Sequence, residues 1–349
     1  MSNLTQILQI AISSRSELLE QLHNEKTFAY RLFHGINEGY EGLTIDRYGQ
    51  SILIQTFRNP LIEKEVEEIK AVILKNIDLL ETKEELFFTY NPRALNKESD
   101  ISFDNKNTKN DAEKKIFKEI DINYIYQGKH RGQDPFLFLD MRAGRRFVLK
   151  NAKNKSFLNL FSYTNSAGIC AKKAGAKEVI NVDFSSSSLA IGLENAQIND
   201  ILSSDNSYKA IKSDVFYALR KFTDTPFKGW NSKIKLPEIL DKENLMFKRT
   251  FDMVFLDPPA WSKSPYGTID LVRDYQSIFK LALLATSEGG RIIAANNVAK
   301  VQVNDWIENL KKCAKKIGRE IKNIDIITPE TDFPSPDKNF PLKLVVCEV

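Results

Sequence analysis

The chain has 349 residues, with 50 basic and 46 acidic side chains and a formal net charge of +4. That length allows two domains with a sizeable core, and a charge so mild does not by itself indicate a nucleic-acid partner. Because its three cysteines are widely separated, no apolar run approaches a membrane span and the N-terminus lacks a signal-peptide pattern, we expect a soluble cytoplasmic protein with no metal and no membrane partner.

The first third of the chain predicts a small α+β domain over residues 1–126. Segments with apolar residues at helical spacing alternate with short, strand-like segments bounded by glycines. The predicted elements are one or two amphipathic helices over 4–22, a strand over 27–33, a hairpin turn at Tyr48–Gln50, a helix over 60–79, and strands over 86–90 and 122–126. Residues 96–115 are polar and rich in Asn, Asp and Lys, which favours a solvated loop.

Three arginines of this domain are candidates for contacts with RNA phosphates: Arg31, Arg47 and Arg93. The same residues are equally compatible with the surface of a small sheet, so the pattern leaves both interpretations open. We predict an RNA- or substrate-binding role for the domain as a whole.

Residues 127–349 form the second predicted domain, in which strands alternate with helices from Gln133 onward. That alternation is typical of an open parallel sheet with helices on both faces. Beyond the segment described next, the predicted elements are a helix over 185–199, strands over 210–214 and 251–256, a helix over 271–288 closed by Gly289 and Gly290, a strand over 291–297, a helix over 303–318, and strands over 324–328 and 342–349. An inserted segment over 223–249 carries lysines around Trp230, which suits either single-stranded nucleic acid or a solvated loop.

The segment Phe157–Asp183 organises this second domain. It reads as a strand, a tight polar loop, an alanine-rich helix closed by Gly175, and a second strand that ends on Asp183. Such a unit binds nucleosides, because loop amides and the helix N-terminus meet one end of the ligand and the carboxylate takes two ribose hydroxyls. The G-x-G-x-x-G pattern of a dinucleotide site is absent, so a nucleoside without phosphates, such as S-adenosylmethionine, suits the loop better.

Two further acids, Asp214 and Asp257, follow predicted strands. Ligands of such a sheet bind at the carboxyl ends of its strands, so Asp214 is expected to bond the adenine amino group or a neighbouring amide, with a helix N-cap as the alternative. Asp257 runs into the sequence Asp-Pro-Pro-Ala-Trp. Two prolines predict a rigid extended loop that cannot pair in the sheet, so that a flat base stacks on Trp261 while Asp257 or loop carbonyls orient its edge.

Together these motifs resemble the class I S-adenosylmethionine-dependent methyltransferases of the RlmK and RlmI type, which modify large-subunit ribosomal RNA. The matching pieces lie within residues 29–56 and in the second domain, and include F-L-D-M-R, F-L-N-L-F-S-Y-T-N-S-A-G, N-V-D-F-S, L-D-P-P-A-W-S-K-S and A-N-N. The resemblance implies a Rossmann-like methyltransferase sheet with a smaller N-terminal α+β domain, S-adenosyl-L-methionine as cofactor and ribosomal RNA as partner. One departure is Asn165, where the family usually has glycine; asparagine tolerates a left-handed backbone, so cofactor binding can survive the change.

The resemblance also implies roles for individual residues. Cofactor contacts are expected from Asp140, Arg142, Asn159, Phe161, Ser162, Tyr163, Thr164, Asp183, Phe184, Asp214, Val215 and Asp257. The target base is expected to lie against Asp257, Pro258, Pro259, Trp261 and Asn296. The charged run Asp140–Arg146 is expected to crowd the entrance to the first strand of the second domain.

The cysteines decide between two kinds of methyl acceptor. A cytosine carbon is a poor nucleophile and needs a thiolate to activate the ring, and RlmI-like enzymes carry that cysteine just after the strand that ends here at Asn297. This chain has none there, and Cys170, Cys313 and Cys347 are expected to be buried packing residues.

The pair Asn296-Asn297 instead resembles the RlmK branch, which methylates guanine at ring nitrogen 7. That atom has a lone pair and no proton, so it requires neither a covalent nucleophile nor a general base. We therefore predict N-methylation of a guanine in 23S ribosomal RNA. The alternatives are methylation of a small molecule or protein, and a non-catalytic RNA-binding protein that retains the fold, which the altered Asn165 would favour.

Overall fold

The structure is a computed structural model, and it describes residues 3–93, 113–128, 135–202, 206–226, 248–259, 261–264 and 267–349. Its Cα positions divide the chain into two compact units. The first comprises Met1–Leu139 together with Glu330–Pro336, and the second comprises Asp140–Pro329 together with Asp337–Val349. The segments 96–112 and 227–247, for which a solvated loop and a nucleic-acid contact were considered, lie outside the described residues.

The first unit is an α+β fold built on a four-stranded sheet. Its elements are α1 (Asn3–Ser13), α2 (Ser16–Asn24), β1 (Ala29–His34), β2 (Leu43–Tyr48), β3 (Ser51–Thr56), α3 (Glu63–Lys75), β4 (Phe87–Pro92), β5 (Lys115–Glu119) and β6 (Ile122–Tyr126). The sheet order is β1-β2-β3-β4, with β4 parallel to β3, and β5 and β6 form a separate hairpin. Strand β5 begins where a solvated loop was expected to end.

The predicted hairpin turn and the amphipathic helices are both confirmed. Tyr48 pairs directly with Ser51, so the turn has two residues, and Gly49 supplies the left-handed backbone at φ +64°. Leu8, Leu19 and Ile69 from the three helices are fully buried in one core with the inner face of the sheet. Burial of such side chains contributes about 1.5–3 kcal/mol each, so the spacing read from the sequence accounts for the fold of this unit.

Two of the three candidate RNA-binding arginines are held inside the first unit. Arg31 forms a two-pronged ion pair with Asp46, at 2.7 and 2.9 Å. Arg47 is 3% exposed and donates hydrogen bonds to the Tyr30 hydroxyl and to the carbonyls of Gly49 and Leu80. These contacts give both residues a structural role, and the burial of Arg47 disfavours a phosphate contact there.

The second unit is a seven-stranded sheet with helices between its strands. Its elements are α4 (Arg142–Asn151), β7 (Ser156–Leu160), α5 (Ser166–Lys173), β8 (Glu178–Asp183), α6 (Ser186–Gln197), β9 (Tyr208–Lys212), α7 (Val215–Thr223), β10 (Phe251–Leu256), β11 (Trp261–Ser264), β12 (Gly267–Asp270), α8 (Leu271–Leu284), β13 (Thr286–Asn296), α9 (Val303–Lys316), β14 (Asn323–Ile327) and β15 (Lys343–Glu348).

The strand order is β14-β15-β13-β10-β7-β8-β9, with β15 antiparallel to β13 and the five strands from β13 to β9 parallel. The chain adds β8 and β9 on one side of β7 and then returns to place β10 on the other. The point where the order reverses therefore lies between β7 and β10, which is where ligands bind in open sheets of this kind. The predicted Rossmann-like class is confirmed.

Three predictions for the second unit are wrong. Helix α8 ends at Leu284 rather than at residue 288, because the following residues pair with β10, beginning with Thr286 opposite Phe251. Gly289 and Gly290 lie inside β13, at a shift of register against β10, instead of closing the helix. Trp261 was expected in an unpaired loop, yet it begins β11 and pairs with Asp270 of β12.

The described ranges contain no helix long and apolar enough to cross a membrane. Within those same ranges, no group of three His, Cys, Asp or Glu side chains is placed to hold a metal ion.

Candidate functional site

The two sequence motifs of greatest interest meet at the centre of the second sheet. Leu160, the last residue of β7, pairs with Leu256, the last residue of β10. The Asp257 amide points at the Leu160 carbonyl across 3.5 Å. The loop after β7 and the Asp-Pro-Pro loop after β10 therefore begin side by side, at the carboxyl ends of the strands where the sheet order reverses.

The loop after β7 has an unusual backbone. Phe161, Tyr163 and Asn165 have φ angles of +56°, +49° and +62°, although none of them is glycine. Holding a non-glycine residue in a left-handed conformation costs roughly 1–3 kcal/mol, and residues strained in this way cluster at ligand sites. The Ser162 amide donates to the Val182 carbonyl at 3.1 Å and the Asn165 amide donates to the Ser162 carbonyl at 2.7 Å, so hydrogen bonds within the protein hold the loop in this conformation.

Asp183 holds this loop in place from the end of β8. One carboxylate oxygen accepts the Tyr163 amide at 2.9 Å, and the other accepts the Ser185 amide at 2.8 Å. Burial raises the pKa of Asp183, and the hydrogen bonds from the amides of Ser185, Tyr163 and Phe184 partly oppose that rise. The carboxylate thus joins the loop after β7 to the N-terminus of α6.

The surroundings of Asp183 fit a nucleoside. A carboxylate offers about four acceptor positions, so the amides leave capacity for a ribose hydroxyl. The next residue, Phe184, is 51% exposed, which provides an aromatic face beside that position. The buried Ser162 hydroxyl has no hydrogen-bond partner among the described residues, as expected of a loop that a polar ligand completes.

Asp214 and Val215 lie at the neighbouring strand end. The Ser213 amide donates to the Asp183 carbonyl at 2.9 Å, so the two acids occupy adjacent positions along one edge of the sheet. The carboxylate of Asp214 accepts the Tyr217 amide at 3.0 Å and caps α7, and Val215 is buried behind it. The N-cap interpretation of Asp214 is therefore confirmed, while its contact with adenine stays a prediction.

Buried asparagines form a layer next to the loop after β7, which is called the cofactor loop below. The side-chain amide of Asn159 donates to Asn181 at 2.9 Å, and that of Asn181 donates to the Lys209 carbonyl at 3.0 Å. The Asn195 amide reaches the Thr164 carbonyl at 3.3 Å. Asn159 is thus held within the sheet, where it supports the loop from below.

Asn165 adopts a left-handed conformation, as expected for the loop. It precedes α5 with φ +62° and ψ +20°, and its side chain is fully buried. The amide occupies a niche opened by Gly192 of α6, since a methyl group added at Gly192 would lie 2.5 Å from the Asn165 Cγ atom. The loop can therefore hold asparagine at this left-handed position because the facing helix has no side chain at position 192.

A charged cluster borders the other side of the site. Arg142 and Arg145, from the start of α4, are each 1% exposed. The pKa of Asp257 is raised to about 7, chiefly by burial and then by the charge of Asp140, while the charge of Arg145 lowers it. The predicted crowding of charges near the first strand is present, and it acts on the acid of the Asp-Pro-Pro motif.

The remaining predicted base contacts lie after β10 and β13. Pro258 is buried and Pro259 partly buried, while Trp261 enters β11. Asn296 is 4% exposed and its side-chain oxygen accepts the Val298 amide at 3.0 Å.

Lys343, opposite Asn296 in the sheet, is a residue that the sequence did not single out. Its ammonium donates to the carbonyls of Val298, Ala299 and Pro341, at 2.9, 3.1 and 3.4 Å. It is 4% exposed, and burial lowers its pKa. Asn296 and Lys343 together fix the loop that leaves β13.

The sheet order, the strained loop and the strand-terminal acids define a nucleoside-binding α/β fold of the class I methyltransferase type. In agreement, the sequence pattern of S-adenosylmethionine-dependent methyltransferases matches residues 30–222, more than half of the chain. The chain therefore belongs to the S-adenosylmethionine-dependent methyltransferase family, with S-adenosyl-L-methionine as cofactor. The interpretation as a non-catalytic protein is set aside.

Relatives agree with this assignment. Ribosomal RNA large subunit methyltransferase I of Aeromonas hydrophila is 26% identical over 335 residues, covering 94% of this chain and 75% of that protein. Ribosomal RNA large subunit methyltransferase K/L of Psychrobacter cryohalolentis is 28% identical over 271 residues, covering 76% of this chain and 31% of that protein. SMU.776, a methyltransferase candidate solved with SAH, shares the fold with a TM-score of 0.75 at 22% identity, over 99% of this chain and 81% of that one.

We predict that Asn165 and Gly192 are energetically coupled. Replacing Gly192 with alanine should destabilise the protein by about 1–3 kcal/mol, because the new methyl group overpacks the asparagine niche. In the Asn165→Gly background the same change should be neutral or stabilising, since alanine is favoured over glycine in a helix by about 1 kcal/mol. Urea denaturation of the two single variants and the double variant measures the coupling, and additive effects would refute it.

We also predict that Lys343→Met loosens the loop after β13. Removing the ammonium leaves buried carbonyls without a donor, so the free energy of unfolding should fall by about 1–3 kcal/mol. Affinity for S-adenosyl-L-methionine, measured by calorimetry, should change less than twofold, because the cofactor loop follows a different strand. Lys338→Met, an exposed lysine in the same β14–β15 connection, is the matched control and should match the parent. Equal stability of the two variants would contradict the assignment.

Proposed function

We propose that this protein transfers a methyl group to a nitrogen of a guanine in large-subunit ribosomal RNA. Ring nitrogen 7 is the atom that fits best, and the first unit contributes to RNA binding. The observation that carries the proposal is the position of Asp257 and its prolines beside the cofactor loop, at the reversal of the sheet order. The relatives named as large-subunit ribosomal RNA methyltransferases support the choice of RNA, and a cytoplasmic location accompanies it.

S-adenosyl-L-methionine, when bound, supplies the methyl group from its sulfonium, and transfer requires an acceptor atom that is close and aligned. Asp183 and the loop after β7 would hold the cofactor at one wall of the site. Pro258 and Pro259 stiffen the opposite wall, because proline fixes φ and cannot pair as a strand does. The chain's contribution is then alignment of two reactants rather than activation of one.

The cysteines support a nitrogen acceptor over a ring carbon. Cys170, Cys313 and Cys347 are all buried, in α5, α9 and β15. Burial raises the pKa of Cys347 to about 12 and also raises the pKa of Cys313, so neither provides a thiolate near neutral pH. Guanine nitrogen 7 has a lone pair available in the plane of the base, and its attack requires no covalent help.

Asp257 can orient such a guanine. With a pKa raised to about 7, a substantial fraction of this carboxyl is protonated at neutral pH. A neutral carboxyl donates a hydrogen bond, and the guanine edge that carries nitrogen 7 also carries the acceptor O6. Donation from Asp257 to O6 would present nitrogen 7 to the methyl group.

The direct test is transfer to RNA in vitro. The protein is incubated with labelled S-adenosyl-L-methionine and unmodified large-subunit ribosomal RNA, and the digested nucleosides are analysed by mass spectrometry. We expect labelled 7-methylguanosine, and labelled 5-methylcytidine would refute the proposal. Asp183→Asn should abolish the signal, while Asp305→Asn, an exposed acid on α9, should retain it. Cofactor binding with no transfer to any RNA would favour a small molecule or a protein as acceptor.

We predict that Asp257→Asn changes how stability depends on pH. Because the folded-state pKa of about 7 lies above that of an unfolded aspartate, the folded protein holds more protons between about pH 4 and 7. The free energy of unfolding of the parent should therefore fall as pH rises through that interval, relative to the variant. Denaturation at pH 4 and pH 8 should give similar stabilities at the lower pH and a more stable variant at the higher one.

The same variant separates donation from other roles of Asp257. An asparagine also donates a hydrogen bond but does not titrate, so Asp257→Asn should keep transfer activity above pH 8, where the activity of the parent declines. Asp257→Ala should be inactive both at neutral pH and above pH 8. If Asp257→Asn followed the same pH–activity profile as the parent, the carboxyl proton would not be the donor.

A further inference from the structure

Arg93 is partly buried at one end of the sheet of the first unit. It directly follows β4, and its guanidinium carbon lies 5.1 Å from the centre of the Phe57 ring. Phe57 directly follows the neighbouring strand β3 and is 46% exposed. An aromatic ring and a guanidinium are thus stacked at one end of this sheet.

The backbone fixes both residues of this pair. The Arg93 amide donates to the Thr56 carbonyl at 2.9 Å, which extends the pairing of β3 with β4 by one residue. The Phe57 amide donates to the Gly42 carbonyl, also at 2.9 Å. Gly42 is at φ +80°, and an added methyl group there would lie 2.9 Å from the Arg58 side chain. The exposed ring therefore projects from a rigid base rather than from a free loop.

We infer that Phe57 and Arg93 form a stacking platform for an unpaired base of single-stranded RNA. Aromatic rings and guanidinium planes are the surfaces on which unstacked RNA bases lie, and the adjacent cations suit the phosphates that flank such a base. Arg58, next in the chain, is 64% exposed and adds a second cation, paired with Glu41 at 2.7 Å. This inference rests on the proposed function and names the part of the first unit that would hold the RNA acceptor.

The chain offers closely matched variants for a test. Phe57→Leu keeps an apolar side chain but removes the ring, and Phe57→Trp enlarges the ring. Arg93→Lys keeps the charge but removes the guanidinium plane. Leu74→Ala, on α3, alters an apolar side chain that is equally exposed, at 48%, and serves as the control.

The probe is a fluorescein-labelled single-stranded RNA dodecamer, titrated with each variant and followed by anisotropy. We expect Phe57→Leu to raise the dissociation constant about tenfold and Arg93→Lys to raise it severalfold, whereas Phe57→Trp and Leu74→Ala should bind as the parent does. A fully paired duplex of the same sequence should bind equally to all variants, since it exposes no unstacked base.

Three results separate the possible failures. If the parent binds the dodecamer and Phe57→Leu binds it equally well, the platform is refuted while RNA methylation stands. If the parent neither binds RNA nor methylates ribosomal RNA, the proposed function fails and the platform with it. Calorimetry with S-adenosyl-L-methionine should give the parent's affinity for every variant, because Phe57 and Arg93 belong to the first unit; a loss there would mean that the substitution disturbs folding and would count against a surface role.

Discussion

The second unit depends on one buried carboxylate, that of Asp183. A buried charge is unfavourable unless hydrogen bonds compensate it, and here two backbone amides from different segments do so, those of Tyr163 and Ser185. The interaction works in both directions. The amides keep the acid at the end of β8, and the acid keeps the left-handed loop after β7 from relaxing into ordinary turns. The strain of that loop is therefore maintained by the group that would meet the ribose.

The contacts of Asn165 show how the loop after β7 accommodates a left-handed residue other than glycine. A non-glycine residue at a left-handed position needs both a tolerant backbone and space for its side chain. Asn165 meets the first requirement by its residue type, and Gly192 of α6 meets the second. The two positions therefore form one structural unit, although they lie 27 positions apart in the sequence.

Features set by local pattern could be predicted from the sequence, and features set by distant contacts could not. Asp183, Asp214 and Asp257 were identified because an acid after an apolar run lies at the end of a strand. Lys343 gave no such signal, since its role depends on carbonyls about 45 residues away in the chain. The end of α8 was misplaced because the pairing of Thr286 with β10, a contact between distant residues, ends the helix before Glu288. The roles of Arg31 and Arg47 were left open for the same reason, as their partners are brought together only in the assembled unit.

The two walls of the site are built in different ways, and the difference bears on the acceptor. The wall formed by the loop after β7 is held by hydrogen bonds that backbone amides donate to the Asp183 carboxylate. The other wall consists of proline backbone, a loop fixed by Lys343, and an acid whose protonation changes near neutral pH. If a base binds there as proposed, a wall without a thiolate would orient the base and would not form a bond to it. An acceptor atom that already carries its own lone pair, such as guanine nitrogen 7, is therefore the chemistry that this arrangement favours.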